Sequence, residues 1–227
     1  MDSSRGLDEQ GFAIIPGVLT ENEVARILDD LQRIPLPGSK AGARHALKHG
    51  SIASLARESR LLGIARGILG GDALPFRATL FDKSPDSNWL VVWHQDTALP
   101  LQQRHETLGW GPWSVKAGVI YAHAPASALS SVLALRLHLD DCLAENGPLR
   151  VLPGTHRLGV LSDEELHSLS IECPATDCLV PRGGVLVMRP LLVHSSSKVR
   201  ATGHRRIVHI EYATSMQVGD GLELAIA

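Results

Sequence analysis

GVLVMRPLLVHSSSKVRATGHRRIVHIEYA, residues 184–213, decides the reading of the whole chain. It holds a Val/Leu-rich run that ends on His194, a polar loop, and a second run that opens on Arg205 and Arg206 and continues with alternating residues. Such runs, bounded by turn residues, read as strands. Strands send residues i and i+2 to one face, so Arg205, His209 and Glu211 share a face. Upstream, further β-rich stretches stand at 76–81, 89–94, 117–123, 132–140 and 149–152. Turn clusters separate them: SPDSN, GWGP, AENGP, PRGG and SSSKVRATG. The N-terminal part has a different period. After a short strand within 12–19, Thr20 and Glu23 form a capping box, and Val24, Ile27, Leu28 and Leu31 recur at helical spacing up to the stop before Pro35. Residues 36–50 read as a loop. A helical region from Ser51 to Leu69 ends at Gly70-Gly71, and a short helix at 162–169 opens on Ser162 and Glu165. This pattern predicts an α+β chain, mainly β, whose strands close as a sandwich or jelly roll. The expected organisation is one domain, with a helical part over 1–71 and a jelly-roll core over 72–215.

Composition narrows the function. The 227 residues suffice for one core, and 44% hydrophobic with 20% charged residues is ordinary for a globular chain. Net charge is −2 with no basic block, which argues against a nucleic-acid partner. No apolar run approaches the ~20 residues of a membrane span, and MDSSRGLDEQ does not read as a signal peptide. Cys142, Cys173 and Cys178 are odd in number and form no CxxC pair, so a reducing cytoplasm is the expected compartment.

The eleven histidines carry the chemistry. His-x-Asp at a strand end offers an imidazole nitrogen and a carboxylate oxygen side by side. A second His from a distant strand completes a 2-His-1-carboxylate triad, which leaves coordination positions open for Fe(II) chemistry. Two such tripeptides are present, His94-Gln95-Asp96 and His138-Leu139-Asp140, beside His209-Ile210-Glu211. Spacing alone leaves the choice open, since His194 lies downstream of both. His94 closes an apolar strand and opens a loop, which favours a rim position, while His138 lies inside a longer strand. If the strands flanking 195–204 form a hairpin, Arg205 faces His194 across it, with Arg206 as the competing register. A guanidinium there can grip a carboxylate bidentately, and Ser196 can add a hydroxyl.

Three blocks resemble the phytanoyl-CoA dioxygenase family: FDKSPDSNWLVVWHQD (81–96), LHLDDCLAENGPLRVLPGTH (137–156), and MRPLLVHSSS followed by RRIVHIEYA. GFAIIPGVLTENEV resembles the family's opening. The resemblance implies a double-stranded β-helix (jelly roll, cupin-like) with N-terminal helices packed on one sheet. It also implies Fe(II), 2-oxoglutarate as co-substrate, O2, and hydroxylation of a small molecule with release of succinate and CO2. His94, Asp96 and His194 are then the metal ligands. Arg205, Ser196 and Thr79 contact 2-oxoglutarate, and Arg136, where the family has Trp, is a second carboxylate or substrate anchor or half of a buried ion pair. A carboxylate at Asp96 implies hydroxylation or a related oxidation rather than halogenation. Lys83, Trp93, Trp113, Lys116 and His209 are candidates for the substrate wall, with 97–116 as a lid carrying Trp110 and Trp113. Two other readings remain: a jelly-roll metalloenzyme that does not use 2-oxoglutarate, which gives Arg205 no role, and a non-catalytic binding domain.

Overall fold

A computed structural model describes residues 3–33, 42–200 and 202–227. Residues 36–41 of the expected loop lie outside the described residues. The chain opens with α1 (Ser3–Gln10), β1 (Phe12–Ile15) and α2 (Glu21–Gln32). Thr20 caps α2 through the reciprocal box with Glu23 that the sequence predicts. The expected 51–69 helix is two, α3 (Gly50–Leu55) and α4 (Ser59–Leu69). The break has a local cause. The Glu58 carboxylate accepts from the backbone N–H of Arg60 at 2.8 Å and of Leu61 at 3.2 Å, which starts a new helix. Then follow β2 (Leu74–Lys83), β3 (Val91–His94), β4 (Ala98–Leu101), β5 (Trp113–Lys116), β6 (Val119–His123), α5 (Ala126–Leu129) and β7 (Val132–His138). β8 (Leu149–Val151), α6 (Asp163–Glu172), β9 (Thr176–Cys178), β10 (Val185–Met188), β11 (His194–Ser196) and β12 (Arg205–Ala213) complete the order.

The strands form an antiparallel main sheet, β1-β10-β7-β12-β2, a second sheet, β3-β11-β8-β9, and a small third sheet, β4-β6-β5. Alternation gives the main sheet two apolar jobs. Leu133, Leu135, Leu137, Val208, Ile210 and Tyr212 face outward, onto a core shared with Leu28, Ile52, Leu61 and Ala65 of the helices. On the other face, Ala134, Leu186 and Met188 pack against Leu149, Val151 and Leu192 around the second sheet. The result is the expected double-stranded β-helix, mainly β, with N-terminal helices covering one sheet.

Three further sequence expectations change. The strands flanking 195–204 are not a hairpin: β11 pairs with β3 and β8 in the second sheet, while β12 lies in the main sheet between β7 and β2. The chain crosses from one sheet to the other between them. The 97–116 segment is not an irregular lid, because β4 and β5 within it pair with β6. The division at residue 71 and the limit at 215 do not follow the packing. β1 is an edge strand of the main sheet, and Leu222, Leu224 and Ala227 are fully buried, with the Ala227 N–H donating to Phe76 O at 2.7 Å.

Candidate metal centre

β3 ends on His94, and β11 begins on His194 directly opposite it in the antiparallel register. This pairing across two distant stretches puts the two ring centroids 4.2 Å apart. Asp96 follows two residues on, held by its backbone N–H, which donates to Pro190 O at 2.9 Å. One ligand-type atom from each of His94, Asp96 and His194 can be chosen so that all lie within 4.8 Å of one another. The Nε2 atoms of His94 and His194 stand 3.7 and 3.5 Å from the two Asp96 oxygens. Each Nδ1 lies 2.8 Å from the carbonyl oxygen two residues back, Val92 O and Leu192 O respectively. Donation there fixes the Nδ1–H tautomer and aims a free Nε2 lone pair at the shared point. Burial, then the neighbouring His94, pushes His194 down to about 3, so its ring is a free base at neutral pH. Burial would raise the Asp96 carboxyl, but the two imidazoles outweigh it and hold it well below the usual carboxylate range. Burial would lower the His94 ring, but Asp96 outweighs it and holds that ring above its usual range, so a metal that binds there displaces a proton from His94. Two imidazole nitrogens and one carboxylate oxygen are a donor set that fits a divalent transition metal with open positions.

Gln95 points away from the triad. Its Nε2 donates to Gly159 O and Leu191 O at 2.8 Å each, and its Oε1 accepts from the Leu161 N–H at 2.9 Å. Sequence reasoning missed this pin. The available signal was alternation: the middle residue of His-x-Asp must face the protein when its neighbours face the site.

The triad opens into a cavity of about 560 Å³ between the main and second sheets. The inward-facing row of β2 lines it with Arg77, Thr79, Phe81 and Lys83, and that of β12 with Arg205, His209 and Glu211. Arg205 is 3% exposed, and its Nη2 donates to Ser196 Oγ at 3.5 Å. Its Nε and Nη1 have no partner among the described residues. A buried guanidinium with unmet donors is costly unless a ligand meets them. Arg206, the competing register, turns the other way and pairs bidentately with Asp140 at 2.9 and 2.7 Å. That pair also removes the rival tripeptide, because His138 is buried while Asp140 is engaged with Arg206. Lys83 is 1% exposed and donates to Ser196 Oγ at 2.7 Å and Ser197 O at 2.8 Å. Burial, then Arg205 and Arg136, pushes its ammonium down to about 7.

Among the described residues, Arg136 is not half of an ion pair. Its Nη1 donates to His209 Nδ1 at 3.1 Å, its guanidinium lies over the Phe81 ring at 5.2 Å, and its Nε has no partner among the described residues. His209 Nε2 then faces Glu211, which Arg77 clamps with two nitrogens. Lys116 also lines the cavity. Trp93 and Trp113 do not. Trp93 neighbours His94 on its strand and so points to the opposite face, packing on the small core of Leu152, Leu166 and Val193. Trp113 packs with Trp110 in the core between the third sheet and the C-terminal segment.

The phytanoyl-CoA dioxygenase (PhyH) family model matches residues 7–207. An L-proline trans-4-hydroxylase of Streptomyces griseoviridis is 24% identical over 186 residues, covering 70% of this chain and 62% of that protein. An ectoine dioxygenase of Stutzerimonas stutzeri (strain A1501) is 26% identical over 166 residues, covering 66% and 48%. The chain thus spans about half to two thirds of the length of these curated relatives. Among solved structures, the epimerase SnoN in complex with Fe3+, alpha ketoglutarate and nogalamycin RO superposes with a TM-score of 0.71 at 20% identity, over 96% of this chain and 86% of that one. EctD from S. alaskensis with 2-oxoglutarate and 5-hydroxyectoine gives 0.70 at 19% identity, over 92% and 74%. These likenesses carry the fold, and the family match, which spans most of the residues, carries more: the chain belongs to the phytanoyl-CoA dioxygenase family.

Proposed function

We propose that this chain is an Fe(II)- and 2-oxoglutarate-dependent dioxygenase that hydroxylates a small-molecule substrate. One observation carries the reading. A two-imidazole, one-carboxylate cluster and a buried guanidinium with two unmet donors line the same cavity. Neither a metal site without a dicarboxylate nor a degenerate binding domain gives Arg205 a reason to be there. In support, the ectoine and proline relatives bear hydroxylase or dioxygenase names. The three cysteines are free and no described helix is long and apolar enough to cross a membrane, which is compatible with a cytoplasmic enzyme.

When bound, iron with 2-oxoglutarate and O2 supplies oxidation of an unactivated C–H bond, with release of succinate and CO2. The chain's own contribution is placement. His94 and His194 offer Nε2 while their Nδ1–H groups anchor to backbone carbonyls, and Asp96 offers an oxygen. Arg205 would take the distal carboxylate through its free Nε and Nη1. Ser196 stands at the same end, where its hydroxyl donates to Gly147 O at 3.0 Å and accepts from Lys83 and Arg205. It orients the two cations, and it would bond the carboxylate only by turning its proton away from Gly147 O. Thr79 and Arg136 wall the space between.

The test is O2-dependent succinate formation from 2-oxoglutarate with added Fe(II). His94→Ala and His194→Ala are expected to abolish both metal binding and succinate release, while His138→Ala binds metal as the parent does. Loss of metal binding in His138→Ala with retention in His94→Ala would overturn the reading.

A further inference from the structure

The cavity holds more positive charge than the proposed co-substrate can match. Six cationic side chains line it, Arg44, Arg77, Lys83, Lys116, Arg136 and Arg205, against two acids, Asp96 and Glu211. Asp96 belongs to the metal cluster, and Arg77 already neutralises Glu211.

The surplus sits at two separate places. Register fixes them: Lys83 lies opposite Arg205 at one end of β2, and Arg77 opposite Glu211 at the other. Six residues of strand at about 3.3 Å each separate these ends by roughly 20 Å. A five-carbon diacid built from bonds of about 1.5 Å spans roughly 6 Å and cannot serve both. At the Arg77 end stands Tyr121, with the Arg77 guanidinium 5.8 Å from its ring centre and the Lys116 ammonium 4.9 Å from it. Tyr121 Oη lies 3.1 Å from His45 Nε2, which brings the adjoining residue Arg44 to the same end. Arg44 is held there by the bridge between Ala43 and Leu80. Arg44 is exposed and Lys116 half-buried, so the pair forms the open side of the cavity. Neither has an acidic partner among the described residues. Burial, then Arg44 and Arg77, pushes the Lys116 ammonium below its usual range, as expected of cations crowded without a counter-ion.

The geometry points to a second anion subsite at the mouth, in which Arg44 and Lys116 flank Tyr121 and receive a carboxylate or phosphoryl group of the primary substrate. This inference rests on the reading of the inner end as the 2-oxoglutarate site and adds the substrate class. The two cations hold the substrate's charged end at the open side, so a reacting C–H bond is presented inward to the metal side. A neutral substrate would leave both cations without a counter-charge at the mouth.

The test uses the full chain loaded with Ni(II) and 2-oxoglutarate, so that binding is read without turnover. Benzoate and phenyl phosphate are titrated by calorimetry beside their neutral counterparts, benzamide and benzyl alcohol. At least one anion is expected to bind about tenfold or more tightly than its neutral counterpart, the weight of one good charge contact. The carboxylate and phosphate arms show which group the site prefers. Arg44→Gln with Lys116→Gln is expected to remove that preference, while 2-oxoglutarate affinity stays within about twofold, since that ligand sits at the other end. Lys116→Glu, a single change on a half-exposed strand end, is expected to disfavour the anions further and admit benzylamine. No preference in the parent for either anion, or a preference that survives both variants, overturns the proposal. Failure of the Ni(II)-loaded parent to bind 2-oxoglutarate overturns the function proposed above instead, because the anion comparison is still read at the mouth.

Discussion

At the scale of single residues, the inner end of the cavity holds a lysine whose charge is expected to change near neutrality. Lys83 is pushed down to about 7 by burial, then by Arg205 and Arg136, and it donates to the same Ser196 hydroxyl that Arg205 approaches. A dicarboxylate is fully ionised above about pH 5, so its charge does not change near neutrality. Protonated Lys83 attracts it and neutral Lys83 does not. Affinity of the metal-loaded protein for 2-oxoglutarate, the co-substrate proposed above, is therefore expected to be greatest below pH 7 and to fall by up to about tenfold as pH rises to 8.5. Lys83→Met should bind it more weakly at pH 6.5 and show a flat profile, as calorimetry at fixed saturating metal would reveal. A slope that persists in Lys83→Met would assign the titration elsewhere. Gln95 acts at the same scale by a different route. Gln95→Leu keeps the volume but strips partners from Gly159 O, Leu191 O and the Leu161 N–H. Metal affinity should drop about 10- to 100-fold, as for other groups that orient ligands, with little change in the far-UV spectrum. An unchanged metal titration would make Gln95 a packing residue only.

At the scale of elements, the turn that launches β10 shows how a glycine can be fixed by two constraints at once. Gly183 has φ +74°, and a Cβ there would meet Leu19 O at 2.2 Å, on the backbone whose N–H donates to Gly183 O. Gly70 at the end of α4 has nearly the same φ, +77°, with nothing within 4 Å. Gly70→Ala should cost only the left-handed strain, about 1–2 kcal/mol, whereas Gly183→Ala must also displace backbone and should cost distinctly more. Denaturant midpoints of the two variants compare them directly, and equal losses would mean the 19–24 segment yields freely. Elements of this local kind were legible in the sequence. The capping boxes at Thr20 and Ser162 formed as read, because a cap depends on residues three apart. The Arg205 face was legible too, since alternation is a local rule. The hairpin across 195–204 was not, because β11 has only three residues and takes its partners from residues 91–94 and 149–151. The same non-locality hid β4 and β5. Trp93 was misplaced for a local reason: reading it as part of the mouth neglected that His94, one residue on, already faced there.

For the whole molecule, the helices and the main sheet share one apolar core, and the C-terminal segment closes another. We therefore propose a single folding unit, which should unfold in one cooperative transition. The candidate site lies across that unit. Its candidate metal ligands come from β3, the loop after it and β11, on the second sheet, while Arg205 and Lys83 project from the main sheet. A metal alone ties together parts of the second sheet; a diacid held by the metal at one end and Arg205 at the other ties the two sheets to each other. Ligands of the native state stabilise by about 2.7 kcal/mol at a hundredfold excess over Kd. For a chain of this size that corresponds to a rise in Tm of about 5–10 °C. Ni(II) should produce such a rise, and 2-oxoglutarate should add a second increment only when Ni(II) is present. His194→Ala should lose both increments. Arg205→Met, which removes the inner guanidinium but no metal ligand, should keep the first and lose the second. If 2-oxoglutarate stabilised the metal-free protein equally well, or if Arg205→Met kept the second increment, the two sheets would not be bridged through the metal and Arg205.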